Sequence, residues 1–203
     1  LSAVIGKKII YKNADERISR FGLKKVKHLI LNTAEGQIDT GKMITALIAK
    51  ARKAGIEIIN GFEVQEMHDE SELVAIRSSN GIALTCKKVI VCTNGFAKQL
   101  LPSYAVSPAR AQVIVTEPIK GLKIRGTFHY DSGYYYFRNI GNRLLIGGGR
   151  NLDFKIEETP DFGLTQLVHN KRDELLKTMW LPGIDYKIGR RWSGIMGVGA
   201  SKK

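Results

Sequence analysis

The sequence predicts a mixed α/β (α+β) fold, in which a partial α/β domain is interleaved with an antiparallel sheet that carries a helix. Two observations favour this fold class. Between about residues 37 and 101, an amphipathic helix, short strands and a buried apolar run follow one another, as in an α/β sheet. After Pro102 the predicted strands become longer and are joined by hairpin turns, which is typical of an antiparallel sheet.

Length and composition set the outer limits. The chain has 203 residues, of which 43% are hydrophobic and 25% charged, enough for one large or two small domains with buried cores. No run of about 18 apolar residues is present, so no membrane span is predicted. The chain begins with Leu1 and has no signal-peptide pattern. We therefore expect a cytoplasmic chain whose true start is missing.

The clearest element in the α/β part is a helix predicted from Thr40 to Ala54. Asp39 or Thr40 can cap its first amides, and Gly55 supplies a left-handed stop. Its apolar residues recur at helical spacing and form one stripe: Met43, Ile44, Leu47, Ile48 and Ala51.

Short strands are predicted around this helix. In the α/β part they cover residues 56–59, 62–67, 73–77 and 82–86, and Asn80-Gly81 predicts a hairpin turn. The apolar run at 88–92 is typical of a strand buried on both faces, and a short helix is expected at 96–101. Two further short strands are expected near the start, at 8–11 and 27–31.

The antiparallel part contains longer strands and one helix. Strands are predicted at 110–116, 134–138 and 143–146, with a turn at 139–142, and a last strand is predicted at 186–192. A helix is predicted from Asp161 to Trp180. Its expected apolar face consists of Leu164, Leu167, Val168, Leu175, Leu176 and Met179.

Cysteine and histidine usage gives no sign of a disulfide or metal site. Cys86 and Cys92 do not form a C-x-x-C motif, and we expect both to be buried thiols. The four histidines are far apart in sequence and lack metal-ligand spacing, so no metal is predicted.

Four segments together resemble the D-amino-acid oxidase and glycine oxidase superfamily of FAD-dependent oxidoreductases. They are residues 35–40 with the following helix, Gly55 and Phe62-Glu63-Val64; residues 89–97; residues 134–138 with 144–148; and residues 191–197. None is specific alone, but they occur in the family's order over about residues 35–200. The family's opening Gly-x-Gly-x-x-Gly motif and its final glycine-rich segment are absent from this sequence.

The resemblance implies a division of the chain. Residues 1–36 would belong to the substrate domain, and 37–101 to the middle of the FAD-binding domain. Residues 102–191 would form the antiparallel substrate-binding domain, and 192–203 would return to the FAD domain. We interpret the chain as an internal fragment of a flavoprotein, inactive by itself because it lacks the motif that holds the pyrophosphate.

The resemblance also implies an activity and a cofactor. An amine or amino-acid-like substrate would be oxidised by hydride transfer to FAD, giving an imine that water hydrolyses. No catalytic acid or base is predicted, because an amine that binds unprotonated needs none. The implied cofactor-binding residues are Val64, Thr93, Asn94, Gly95, Trp192 and Gly194, and the implied substrate-binding residues are Tyr134, Arg138 and Met196.

Each candidate has a simpler alternative. Strand alternation places Tyr134, Tyr136 and Arg138 on one face, but a tyrosine-rich strand is more often a packed sheet face, and Arg138 could form a plain ion pair. Residues 93–95 could be an ordinary strand-to-helix turn.

Met196 occupies a position where family oxidases of free α-amino acids often carry an arginine for the substrate carboxylate. Either another arginine replaces it, with Arg110, Arg138 and Arg150 as candidates, or the substrate is not a simple amino acid. The sequence favours the second interpretation, because methionine cannot pair with a carboxylate.

A second functional class also fits the charge. The net charge is +13, and some relatives act on modified tRNA bases, so a nucleic-acid-associated flavoprotein module is the alternative. The lysines and arginines are scattered rather than clustered with aromatic residues, so we favour a solvated basic surface and a small-molecule substrate.

Overall fold

The computed structural model describes residues 4, 6 and 9–199, which form two compact units. Among the described residues, the first unit comprises those up to Gln37, Arg110–Glu157 and Asp161–Gly194. The second comprises Ile38–Ala109, Glu158–Pro160 and the described residues from Ile195 onwards. The chain passes from one unit to the other several times, and the predicted mixture of helices with antiparallel sheets is confirmed.

The strands of the described residues are β1 (Tyr11–Asn13), β2 (Ile30–Asn32), β3 (Val64–Asp69), β4 (Val74–Ser78), β5 (Ala83–Cys86), β6 (Val106–Thr116), β7 (Thr127–Tyr130), β8 (Tyr135–Ile140), β9 (Arg143–Gly148) and β10 (Ile188–Gly199). The α-helices are Ile18–Phe21, Thr40–Lys53, Ala97–Leu100 and Gln166–Leu175, and the last continues as a wider turn through Trp180. Short 3-10 turns cover Asp15–Arg17, Asn94–Phe96 and Arg150–Leu152. No described helix is long and apolar enough to cross a membrane.

A five-stranded sheet in the order β10-β6-β9-β8-β7 organises the first unit. The β6–β9, β9–β8 and β8–β7 pairings are antiparallel, and β8 and β9 form the predicted hairpin through residues 141–142. β1 and β2 pair separately as a two-stranded ribbon. The predicted early strand begins only at Tyr11, and Lys8 lies outside the described residues.

One face of the sheet carries the core of the first unit. The helix Gln166–Leu175 and its continuation pack there, and Trp180 contacts Phe137 with ring centroids 4.6 Å apart. Two of the predicted apolar positions are wrong, because Leu164 and Leu167 are half exposed. The helix begins at Gln166 rather than Asp161, so Leu164 precedes it, and its buried face runs through Val168, Arg172, Leu175, Leu176 and Met179.

The helix of the second unit is confirmed over Thr40–Lys53. The Asp39 carboxylate accepts the Lys42 N–H at 3.0 Å as an N-cap, and Gly55 takes φ +77° just beyond the C-terminus. β4 and β5 form the predicted hairpin, with Gly81 at φ +82° in its turn. Local signals therefore specified both elements.

Two predicted strands of the second unit are absent. Residues 56–59 and 88–92 have no strand structure, and Ile90 is 87% exposed. A strand needs a neighbouring strand for its backbone hydrogen bonds, and no described strand pairs with either segment. The apolar composition of these segments favours β-strands, but it does not determine which other strands would pair with them.

The thiols were also partly mispredicted. Cys86 is half-buried at the end of β5, whereas Cys92 is exposed because the segment around it is not a buried strand. Both are free. No cluster of three potential metal-binding side chains occurs among the residues that the structure describes.

Candidate functional site

The two faces of β8 differ in character. Tyr135 and Phe137 are buried in the core on the helix side, whereas Tyr136 and Arg138, which point the other way, are half-buried. Tyr134, immediately before β8, is 42% exposed. The predicted alternation is therefore confirmed within β8, where it presents Tyr136 and Arg138 on the face opposite the core, and Tyr134 precedes the strand.

The Tyr136 side chain packs against the backbone of Gly147. Its cross-strand partner on β9 is Gly147, and a Cβ on Gly147 would overlap the phenol ring. Burial raises the pKa of Tyr136 further above its ordinary value. Like any tyrosine at neutral pH, it carries a hydroxyl that can donate a hydrogen bond. The absence of a side chain at residue 147 thus creates the space in which this phenol lies.

Tyr134 belongs to an open cluster at the end of the hairpin. Its ring contacts the Phe154 ring with centroids 6.0 Å apart, and the Arg150 guanidinium lies 4.9 Å from the centroid of Phe154. Phe154 was not anticipated from the sequence, because residues 150–154 do not form an α-helix in which positions four residues apart would be neighbours.

Arg110, one of the three candidate arginines, is committed to a buried ion pair. Its Nε donates to the Glu157 carboxylate at 3.0 Å, and the Glu157 side chain is almost fully buried. Gln112 and Thr165 also donate to Glu157, and the Thr165 N–H donates to Gln112 at 2.9 Å. Burial opposes ionisation, but these hydrogen bonds outweigh it and lower the pKa of Glu157. Arg110 therefore holds the start of the helix in place and is not available to a substrate.

A second polar group lies beneath the sheet without hydrogen bonds. Arg172 is completely buried, and its three guanidinium nitrogens have no partner among the described residues. The Tyr135 hydroxyl and His169 Nε2 are likewise buried and unpaired. Burial lowers the pKa of Arg172 to about 10, which leaves it charged at neutral pH. Sequence reasoning missed this charge, because an arginine within an amphipathic helix is usually on the solvent side.

In the second unit, Asn94 and Gly95 lie against the end of β10. Asn94 Nδ2 donates to the Ile195 carbonyl at 3.0 Å, and its Oδ1 accepts the Gly197 N–H at 2.7 Å. A Cβ on Gly95 would lie 2.5 Å from the Met196 carbonyl oxygen, so this position requires glycine for close approach. The structure thus brings Met196, which is 40% exposed, together with the predicted 93–95 turn.

The remaining predicted residues are separate from this turn. Thr93 is exposed, and its side chain makes no capping hydrogen bond. Val64 is half-buried at the start of β3, beside an irregularity in the β3–β4 pairing. Trp192 and Gly194 lie on β10 within the first unit, where Trp192 is 36% exposed. No buried strand precedes the turn, so the expected crevice at the end of such a strand is not formed by the described residues.

Comparison with known proteins gives a consistent result. The family described as "FAD dependent oxidoreductase" (DAO) matches residues 6–202. No curated protein matches the chain.

Solved structures give the same fold. L-proline dehydrogenase from P. horikoshii is 20% identical with TM-score 0.73, covering 91% of this chain and 52% of that one. Glycine oxidase from Bacillus cereus ATCC 14579 is 16% identical with TM-score 0.76, covering 93% and 52%. Glycine oxidase from Geobacillus kaustophilus is 19% identical with TM-score 0.75, covering 98% and 54%. The chain spans about half the length of these structures. With identities this low, the structural likeness shows a shared fold and nothing further.

Proposed function

Because the chain belongs to the family of FAD-dependent oxidoreductases, we propose that it contributes the substrate-binding part of an enzyme that oxidises an amine or amino-acid-like compound. One observation carries this proposal: Tyr136 and Arg138 of β8 share the face opposite the core, and glycine at residue 147 leaves room for the Tyr136 phenol. We assign residues 102–191 to substrate binding, and 37–101 with 192–203 to the flavin side.

The described residues fit a flavin in part. The exposed Thr93 hydroxyl can donate or accept a hydrogen bond, whereas the Asn94 amide is already occupied at both ends by the backbone of β10. We therefore propose that Asn94 and Gly95 approach the cofactor through backbone atoms. The backbone of Val64 and the segment with Trp192 and Gly194 complete the proposed set.

In the proposed reaction a hydride leaves the carbon that bears the nitrogen and a proton passes from the nitrogen to solvent water. The resulting imine is hydrolysed by water to a carbonyl compound and a free amine or ammonia. FAD supplies the hydride acceptor when it is bound. Tyr134 and the protonated Tyr136 hydroxyl would orient the substrate by hydrogen bonds, and Arg138 would add positive charge on the same face. Correct orientation is the main contribution that such side chains make to this chemistry.

The test is anaerobic mixing of the flavin-loaded, full-length protein with a panel of primary amines, secondary amines and amino acids. We expect loss of the oxidised-flavin absorbance with at least one of them, and a slower loss when the carbon beside nitrogen carries deuterium. Alcohols of the same shape serve as controls. A flavin-loaded protein that no amine reduces would contradict the proposal.

Met196 narrows the substrate. We expect glycine, sarcosine and D-alanine to be poor substrates, because a thioether at residue 196 cannot pair with their carboxylates. Turnover of any of the three at ordinary rates would overturn this part of the proposal and leave the proposed oxidation of an amine intact.

A further inference from the structure

Arg150 is placed beside Tyr134 by the backbone that precedes it. Gly148 and Gly149 take φ +102° and +90°, a conformation that side chains rarely tolerate. The Gly149 N–H donates to the Tyr134 carbonyl at 2.9 Å, which ties this turn to the start of β8. A Cβ on Gly148 would overlap the Tyr134 carbonyl. The two glycines therefore allow a tight turn, and this turn determines the position of the Arg150 backbone.

Phe154 then fixes the guanidinium. Arg150 lies over the face of the Phe154 ring at 4.9 Å, and the Tyr134 ring meets the same phenyl at 63°. Phe154 is 38% exposed and Tyr134 is 42% exposed, so the cluster faces open space. A guanidinium held over an aromatic ring has fewer accessible rotamers than an arginine that extends into water, which lowers the entropic cost of binding a ligand.

The guanidinium has no acidic partner among the described residues. Arg110, Arg143 and Arg191 each form an ion pair, with Glu157, Glu117 and Asp173 respectively. The nearest carboxylate in sequence, Asp153, instead accepts the Ile156 N–H at 3.0 Å. The Arg150 guanidinium makes no hydrogen bond or ion pair with the described residues, so its N–H donors remain available to a carboxylate, which they can bind in pairs.

We propose that Arg150 binds a carboxylate of the substrate, and that this carboxylate is distant from the carbon that is oxidised. Arg150 and Tyr134 contact the same Phe154 ring, so the carboxylate would bind close to Tyr134. The inference rests on the proposed function and identifies the substrate class as an amine with a remote anionic group. It also explains how Met196 can stand where an arginine would bind the carboxylate of a simple amino acid. Phe154 is a positioning residue that acts through Arg150.

The test uses two non-reacting probes of one shape, phenylacetate and phenylacetamide, which differ in charge. Binding to the flavin-loaded, full-length protein is followed by the flavin spectrum and independently by the NMR shift of the labelled Arg150 Nε–H. We expect Arg150→Met to weaken phenylacetate binding by about tenfold to a hundredfold and phenylacetamide binding by less than about twofold. Arg150→Lys should bind phenylacetate more tightly than Arg150→Met, because it keeps the positive charge. It should bind phenylacetate less tightly than the unaltered protein, because an ammonium group lacks the bidentate geometry of a guanidinium.

Arg143→Met is the matched control, since Arg143 lies at the opposite end of β9 and pairs with Glu117. It should bind both probes like the unaltered protein. Equal loss of both probes in Arg150→Met, an unchanged affinity for phenylacetate, or no phenylacetate binding to the unaltered protein would each overturn the inference. Flavin reduction by amines tests the proposed function separately, so either idea can fail while the other stands.

Discussion

The phenol ring of Tyr136 lies against the α-carbon of its cross-strand partner, Gly147, so closely that the smallest side chain at residue 147 would overlap it. Gly147→Ala should therefore force Tyr136 out of its position and lower the free energy of unfolding by about 2 kcal/mol. Chemical denaturation measures this change.

Two controls separate the clash from a general effect of alanine. Gly36→Ala meets no atom within 4 Å and should be neutral. In a Tyr136→Ala background, Gly147→Ala should cost much less, because the ring is gone. Equal costs in both backgrounds would show that the ring and the glycine are not coupled.

Asn94 holds the end of β10 through two hydrogen bonds and also adopts a left-handed backbone at φ +51°. Asn94→Ala should lower the free energy of unfolding by about 2 kcal/mol, because it removes both bonds and strains the backbone. Asn94→Gly removes the bonds but tolerates the backbone, so it should be the less destabilised of the two variants. If the alanine and glycine variants were equally stable, backbone strain would play no part.

Protonation of His169 should destabilise the fold at acidic pH. Burial, with the nearby charges of Arg172 and Arg191, lowers the pKa of His169 to about 4, whereas Asp173 and Glu157 act in the opposite direction. The unfolded chain binds this proton below about pH 6.5 and the folded chain only near pH 4. The stabilisation is thus complete above pH 6.5 and lost as the pH falls towards 4, by up to about 3 kcal/mol.

Thermal denaturation between pH 4 and 7 measures the effect of His169. His169→Gln should flatten the pH dependence of stability across this range while keeping a polar side chain for Arg191 to contact. A glutamine variant with the same slope as the unaltered protein would assign the dependence to another group.

Arg172, which is buried, and Arg110, which pairs with the buried Glu157, should respond oppositely to replacement by methionine. Arg172→Met should leave the free energy of unfolding unchanged or raise it, because an unpaired buried charge is costly and methionine fills similar space. Arg110→Met should lower it by about 3 kcal/mol, because the Glu157 carboxylate would remain buried without its cation. Destabilisation of Arg172→Met by as much as Arg110→Met would show that Arg172 makes stabilising interactions in solution.

The sequence predicts an element correctly where neighbouring residues determine it. Asp39, the apolar stripe and Gly55 define the helix Thr40–Lys53 within seventeen neighbouring positions, and alternation alone separates Tyr135 from Tyr136. It failed where the cause is distant. The helix starts at Gln166 because Thr165 bonds to Gln112, more than fifty residues earlier, and the apolar run at 88–92 does not specify which strands could flank it.

The sequence also predicts the candidate site only in part. Arg150 appeared as one of three arginines, but only the structure shows that Arg110 is already paired and that Phe154 holds Arg150 beside Tyr134. The burial of Arg172 could not be anticipated, because its residue type predicts a solvent-facing position.

The two hydrogen bonds of Asn94 join positions 101 and 103 residues apart in the chain. During synthesis on the ribosome, the turn at residues 93–95 must therefore wait for about a hundred further residues before its partners emerge. Closing so long a loop is slow and entropically costly, so we expect this junction to form late in folding. Met196 would reach its final place only at the end of maturation, after the hairpin that carries Tyr136 has formed from its own neighbours.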